Sequence, residues 1–469
     1  MLDAMRSLLG LENVLTGDDA VPWGRDATGK YVGTPRAVLR PFDTAQVSAI
    51  LAAANDSGTG IVPVSGNTGL NGGAFAEDQI VVSLDRMRKV RDIRPETRLA
   101  VVEAGVILSD LHEAAHAEGL SFPMTFGARG SARIGGILAT NAGGSNVLRY
   151  GNTRDLVLGI EAVMADGRVM NLLTELHKNN TGYDLRHLLI GAEGTLGIIT
   201  AAVVKLVPRP RAYATATIAT GSLADALTLL NRLREASSGA VEAFEYMPDS
   251  YISGHLDAIP GAREPFSERH PVTLLTELGA TSPKEAEPGP DGEIPLVATL
   301  EATLAEAMED GLVRDATIAR SESQRTEMWA RREAAAEIAF HKRPFVDTDI
   351  ALPLDRLQAF FDEVRARLAR LDAGATDLAV AHLGDGNIHY TVYPTTDDAA
   401  LLGQVRDIID TTSVELGGTF SAEHGIGISK LGPMSRFKDP VALSAMQAIK
   451  RALDPKGILN PGKTLPAES

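Results

Sequence analysis

Ser65-Gly-Asn-Thr-Gly-Leu-Asn-Gly-Gly73 packs four glycines into nine residues directly after the apolar run Ile61 to Val64. That run has the length and β-branched content of a short buried strand. Glycines leave backbone N–H groups uncovered, which is what a loop needs to cradle a phosphate. Upstream, Pro35 to Pro41 reads as a lead-in strand. Asp43 can cap a helix with Val47, Ile50, Leu51 and Ala54 on one stripe, closed by Gly58.

Downstream the pattern repeats. A strand near Leu99 to Ala104 and a helix near Leu108 to Glu118 lead to a second Gly-rich stretch, Gly127 to Gly144, with Gly130-Ser131, Gly135-Gly136 and Thr140-Asn-Ala-Gly-Gly144. A third, Gly191-Ala-Glu-Gly-Thr-Leu-Gly197, precedes the β-branched strand Ile198 to Val204. Between them, Leu156 to Ala165 and Arg168 to Leu172 predict a hairpin about Asp166-Gly167. Three such loops on short strands exceed what turns alone require, and their small residues let a long flat ligand approach the backbone. None has the Gly-x-Gly-x-x-Gly spacing of a Rossmann dinucleotide site. Gly457-Ile-Leu-Asn-Pro-Gly-Lys-Thr464 matches the P-loop letters, but only five residues follow it, one of them Pro466. A P-loop needs a helix there to point its N-terminus at the phosphates.

At 469 residues the chain exceeds the size of a single core, so two domains are expected. The net charge of −16 argues against a nucleic-acid surface and against an anionic-membrane binder. Cys is absent, which excludes disulfides, Cys-ligated clusters and thiol nucleophiles. His and carboxylate chemistry, or an organic cofactor, remain. No apolar run reaches the ~18 residues of a spanning helix. Met1 to Asn13 includes Asp3, Arg6 and Glu12 and lacks the apolar core of a secretory leader, so the expected compartment is cytoplasmic.

Pro208-Arg-Pro210 marks a domain border, after which strands and helices alternate. In this half stands His382-Leu-Gly-Asp-Gly-Asn-Ile-His389. Asp385-Gly386 predicts a two-residue type I′ turn, which places His382 directly opposite His389 with Cβ atoms roughly 5 Å apart. Such a pair can chelate one cation, and imidazole suits zinc; a packed pair of ordinary histidines is the alternative. Farther on, Ser421-Ala-Glu-His-Gly-Ile-Gly427 offers Glu423 and His424. Read as a strand, it points them apart, one toward a metal and the other toward a proton. A glycine-flanked turn with two ordinary polar residues is equally open.

Taken together, Gly66 to Gly73, Ala139 to Gly144, Leu148-Arg-Tyr-Gly151, Asn180-Thr-Gly-Tyr-Asp184, Gly191 to Thr200, His382 to His389, Glu423-His-Gly425 and Asp454 to Lys463 resemble a known family along nearly the whole chain. The chain looks like the FAD-linked D-2-hydroxy acid dehydrogenases of the vanillyl-alcohol oxidase superfamily, most of all their 2-hydroxyglutarate-oxidising members. The resemblance implies an α+β protein: a two-subdomain FAD-binding domain (1–210), an α+β cap or substrate domain (211–430), and a C-terminal segment (431–469) returning to the FAD domain. It implies flavin contacts from Gly66, Asn67, Thr68, Gly69, Leu70, Gly130, Ser131, Gly135, Gly136, Ala139, Thr140, Asn141, Gly143, Glu193, Gly194, Ile198, Ile199 and Asn460. Some relatives bind FAD covalently through a His in the first loop. Residues 61–74 contain none, so the FAD is expected to be non-covalent.

By the same resemblance, His382, His389 and Glu423 would ligate a divalent metal, zinc by ligand type, that lowers the substrate hydroxyl pKa. His424 would take the hydroxyl proton while hydride leaves C2 for flavin N5. Arg332 would bind the substrate carboxylate, with Arg331 as its neighbour. Where the hydroxyglutarate enzymes carry Thr, Lys and Asn, this chain has Ala336, Asp347 and Thr391, so D-2-hydroxyglutarate, D-lactate and related acids all remain as substrates. The expected electron acceptor is a flavoprotein or quinone, and a homodimer is left open. A zinc-dependent hydrolase would leave the Gly-rich loops unused, and a non-catalytic flavin-binding protein would leave the histidines unused.

Overall fold

The computed structural model describes residues 1–467. Glu468 and Ser469, the end of the expected C-terminal segment, lie outside the described residues. The chain forms two compact units. The first takes Met1–Gly143, Gly151–Pro208 and the chain from Glu423 onward; the second takes Gly144–Tyr150 and Arg209–Ala422. The crossings thus follow Pro208 and Ala422, against expected borders after 210 and 430. Gly144–Tyr150 joins the second unit because its side chains find their partners there. Arg149 donates to the Gly279 carbonyl (2.6 Å) and to Glu242 (2.9 Å), and Tyr150 donates to Glu242 (2.7 Å).

In the first unit, β1 (Val14–Leu15), β2 (Ala37–Leu39), β3 (Ile61–Val64) and β4 (Ile80–Ser83) form a sheet ordered β1-β2-β4-β3. β2, β4 and β3 run parallel. Strands buried on both faces need continuous apolar sequence, which these runs supply. The helix Thr44–Ser57 covers one face, capped by Asp43 accepting the Gln46 N–H (2.8 Å) and stopped by Gly58 at φ 66°. A second, antiparallel sheet is ordered β5-β6-β10-β8-β9, from β5 (Val90–Arg94), β6 (Leu99–Glu103), β8 (Val157–Val163), β9 (Val169–Leu172) and β10 (Ile198–Lys205). β7 (Leu120–Ser121) pairs with β11 (Val207–Pro208). The C-terminal tail returns to the first sheet, where Leu459 bridges Ile61 in parallel.

The second unit is built on one antiparallel sheet of seven strands: β12 (Ala212–Thr220), β13 (Val241–Pro248), β14 (Val272–Ala280), β15 (Val313–Ile318), β16 (Val346–Ala351), β17 (Thr376–His382) and β18 (Asn387–Tyr393). Their order is β15-β12-β14-β13-β17-β18-β16. Side chains alternate between faces along each strand. One face presents Ile218, Leu274, Phe244, Tyr246, Ala381, Ile388, Tyr390 and Ile350 to the helices Leu223–Ala236, Pro295–Glu309, Leu357–Leu371 and Ala399–Glu415, forming the main core. Each large apolar side chain buried there contributes roughly 1.5–3 kcal/mol. The other face interrupts its apolar residues with Glu245, Glu277, His382, His389, Asp347 and Asp349. Among the described residues no helix is long and apolar enough to cross a membrane.

Candidate active site

That polar face gathers the expected ligands of the second unit, in a different register from the predicted one. β17 and β18 pair His382 with Asn387 and Val380 with His389, so the histidines are diagonal neighbours. The Leu383 N–H donates instead to Phe244 O on β13 (2.9 Å), and Leu383 is buried. A four-residue turn, Leu383–Gly386, results. It is closed by the Asp385 and Gly386 N–H groups on His382 O and by Asp385 accepting the Asn387 N–H (3.1 Å). The strand slips by two residues rather than one, so both histidines keep one face. Their rings lie 5.6 Å apart between centroids at 80°. Directly across from His389 stands Asp349 on β16, buried, with ligand atoms of the two within 4.8 Å. Asn387 Nδ2 donates to Asp349 (2.9 Å) and fixes it.

The helix Glu322–Glu333 lies on this face through Arg325, Trp329 and Arg332, which share one side at i, i+4 and i+7. Glu277 accepts from Arg325 (2.6 and 2.8 Å) and from the Trp329 indole (2.8 Å). Glu245, fully buried, accepts from Arg332 Nε (2.7 Å) and meets His382 Nδ1 at 2.9 Å. Burial alone would raise the Glu245 pKa, but the His382 and Arg332 charges outweigh it and hold it at about 2. With Nδ1 committed to a carboxylate, metal ligation by His382 falls to Nε2. Arg331 is also buried, but it makes no ion pair among the described residues; burial lowers its pKa, and its carbonyl accepts the Tyr251 hydroxyl (2.8 Å). Thr391 donates to Asp347 across β18 and β16 (2.7 Å), and Ala336 lies in the short helix Ala335–Ala339.

In the first unit the Gly-rich segments converge. Gly66 meets Ser131, where an added Cβ would lie 2.6 Å from the carbonyl, and Gly135 meets Ala104, where it would lie 2.8 Å from the methyl. The second Gly-rich stretch is not all loop: Ile134–Thr140, carrying Gly135, Gly136, Ala139 and Thr140, is helical and ends at Asn141 with φ 51°. The missing side chain at Gly135 is what lets this helix approach β6. The Glu193 N–H donates to Ala139 O (2.8 Å), joining the third loop to this helix. Asn460 Nδ2 donates to Gly73 O (3.1 Å) and Glu193 O (2.8 Å), joining the tail. Asn67, at φ 52°, donates to Arg25 O. Ile198 and Ile199 open β10 with buried side chains, paired with Val163 and Ala162 of β8. By contrast, a Cβ at Gly69 or Gly130 would meet nothing within 4 Å among the described residues, so the loops at these two glycines, beside Thr68, Leu70 and Ser131, open onto free space. That fits a long, flat, phosphate-bearing cofactor such as FAD.

Glu423 and His424 belong to this unit, in a loop rather than a strand. Gly425 (φ 76°) and Gly427 (φ 53°) break any extended run. The two side chains therefore do not point apart; His424 Nε2 lies 3.7 Å from Glu423 Oε1. Two residues of the Gly-rich loops fasten the segment. Asn71 Nδ2 donates to His424 O (3.0 Å) and Gly425 O (2.8 Å), while its Oδ1 accepts from Ser429 (2.9 Å). Glu193 accepts the Ile426 and Gly427 N–H groups, each at 2.8 Å. Burial raises the Glu193 pKa, and those two donors oppose it. Within the second unit, His382, His389 and Asp349 are of the imidazole and carboxylate types that suit a zinc-like cation, and in the first unit Glu423 offers a carboxylate of the same kind. Glu245, Asp349 and the fastening role of Asn71 escape sequence reading. The one signal for Glu245 is a carboxylate alternating with apolar residues in Val241–Pro248.

A family model described as FAD linked oxidases, C-terminal domain, matches residues 209–464, and one described as FAD binding domain matches residues 35–173. A probable mitochondrial D-2-hydroxyglutarate dehydrogenase of Oryza sativa subsp. indica is 35% identical over 98% of this chain and 81% of its own. D-2-hydroxyglutarate dehydrogenases of Xanthomonas citri pv. viticola and Stutzerimonas stutzeri are 35% and 32% identical, over 95% and 100% of this chain and 92% and 99% of theirs. In fold, the chain is similar to p-cresol methylhydroxylase (TM-score 0.74, 15% identity, 99% of this chain and 96% of that one). It is also similar to 4-ethylphenol oxidase from Gulosibacter chungangensis (TM-score 0.73, 20% identity, 99% and 97%).

Proposed function

Because the chain belongs to the FAD-linked oxidase family, we propose that it oxidises a D-2-hydroxy acid to the 2-oxo acid with non-covalently bound FAD. The observation that carries this reading is His424, an imidazole fastened by Asn71 and Glu193 to the very loops suited to the flavin. When bound, FAD supplies the acceptor for the hydride leaving C2. His424 accepts the hydroxyl proton. Arg332, braced at Nε by Glu245, orients the substrate carboxylate. His382, His389 and Glu423, with Asp349 beside His389, would hold a divalent metal, zinc by ligand type, whose chemistry when bound is to polarise the hydroxyl. The electron acceptor in this reading is a flavoprotein or quinone, and the expected compartment is the cytoplasm. A zinc hydrolase would leave the FAD-binding match at residues 35–173 without a use.

The names of the relatives make D-2-hydroxyglutarate the first substrate to test. One observation favours a second reading, a monocarboxylate such as D-lactate. Asp347 and Asp349 both occupy the polar face, and paired carboxylates disfavour a second carboxylate on the substrate. Anaerobic mixing with a panel of D- and L-2-hydroxy acids, with and without chelator, tests all of this through flavin bleaching. Bleaching by D acids alone, and slowed by chelator, is the expected result. Bleaching indifferent to chelator would sink the metal role, and no bleaching by any acid would sink the substrate class.

A further inference from the structure

The tail that returns to β3 carries Asn460-Pro-Gly-Lys463, part of the stretch whose letters match a phosphate loop. Asn460 is held at φ 43°, with its N–H on Ile61 O (2.7 Å) and its Nδ2 on Gly73 O and Glu193 O. Beyond it, the Thr464 N–H donates to Gly427 O (2.9 Å). The turn is therefore pinned to the first and third Gly-rich loops and to the Glu423–Gly427 segment, all within the first unit.

Two buried groups in this turn lack the partners their chemistry needs. Lys463 is 4% exposed, and among the described residues its ammonium makes only a 3.4 Å hydrogen bond, to Pro461 O. Burial lowers its pKa to about 8 with no carboxylate to oppose it. Lys450 nearby shows the satisfied case, with Asp454 at 2.5 Å and the Thr195 and Leu459 carbonyls. Asn460 Oδ1 is likewise buried and receives no donor among the described residues. A buried cation without a counter-charge and a buried carbonyl without a donor both cost free energy. Together they call for a ligand edge with an anionic acceptor beside an N–H donor.

Pyrophosphate offers acceptors only, whereas the pyrimidine edge of an isoalloxazine offers both. Its N3–H lies between two carbonyls, and negative charge collects at N1–C2=O when the ring is reduced. We infer that Asn460 and Lys463 read this edge, Asn460 Oδ1 accepting from N3–H and Lys463 facing the N1–C2=O locus. Reduction brings a proton and two electrons to N5 as hydride and leaves one negative charge on the ring, which Lys463 offsets. The tail thereby raises the flavin potential. Both residues act on the cofactor alone, so this role does not depend on which acid is oxidised.

Dithionite titration of the holoenzyme against a reference dye tests it with Lys463→Met, Lys463→Gln and Lys463→Arg. Both neutral variants should lower the midpoint potential by about 30 mV or more, a tenfold or greater loss of preference for reduced flavin. The arginine variant should restore most of that loss. Retention of oxidised flavin on dilution should change far less. An unchanged potential with tenfold weaker retention would move the ammonium to the pyrophosphate and overturn the ring assignment. An unchanged potential and unchanged retention, in a variant melting like the parent, would remove the site altogether. The glutamine variant carries the same prediction if the methionine variant does not fold.

Discussion

Glu245 joins two candidate functional residues through its two oxygens, His382 on one and Arg332 on the other. A buried carboxylate shared between a guanidinium and an imidazole is a strongly coupled element, and removing one member leaves the others uncompensated. Glu245→Gln should therefore cost about 3–5 kcal/mol at neutral pH. The sign with pH is fixed by the direction of the shift. Its folded-state pKa, about 2, lies below the ordinary 4.5, so its contribution is complete above about pH 4.5 and is lost as pH falls toward 2. Urea unfolding at a series of pH values should show the gap between parent and Glu245→Gln closing over that window. A gap that stays constant from pH 6 to pH 3 would show that ionisation of Glu245 does not matter. By side-chain type Arg331 and Arg332 are equals, and it is the family resemblance that singles out Arg332. In the structure the two differ because the helix register aims Arg332 at Glu245, while Arg331 is buried and makes no ion pair among the described residues.

At the scale of elements, the turn Leu383–Gly386 shows how a tertiary contact overrides a local preference. Asp385-Gly386 favours a two-residue turn, but the Leu383 N–H binds β13 and its side chain enters the core, which widens the turn. The alternation of His382 and His389 remained legible because a slip of two residues preserves the face. Glycines divide in the same way between packing and exposure. Gly386 has φ 82°, and an added Cβ would lie 2.2 Å from Leu352 O, so Gly386→Ala should destabilise the fold by about 1–3 kcal/mol. At Gly69 an added Cβ meets nothing within 4 Å. Gly69→Ala should melt like the parent yet lose flavin more readily on dilution. Paired thermal melts and flavin-to-protein ratios separate the two cases. Equal flavin retention in Gly69→Ala and parent would argue that this face of the loop does not hold the cofactor.

For the whole molecule, substrate choice depends on residues from separate strands. If Asp347 repels a second carboxylate, Asp347→Asn should raise kcat/KM for D-2-hydroxyglutarate relative to D-lactate by about tenfold, read in parallel steady-state assays. An unchanged ratio would free Asp347 from a role in selectivity. The sequence by itself determined the Gly-rich loops, the kinds of side chain able to bind a metal or move a proton, the alternation that puts both histidines on one sheet face, and the family. All of these are short-range patterns, written in consecutive residues as composition, period and turn chemistry. Only the tertiary structure decided the hairpin register, the pairing of Arg332 rather than Arg331 with Glu245, the fastening of His424 and the burial of Lys463. Each depends on which distant group supplies a hydrogen bond or a charge. Asn71 reaches the His424 carbonyl across 353 residues, and no local pattern encodes a partner at that distance.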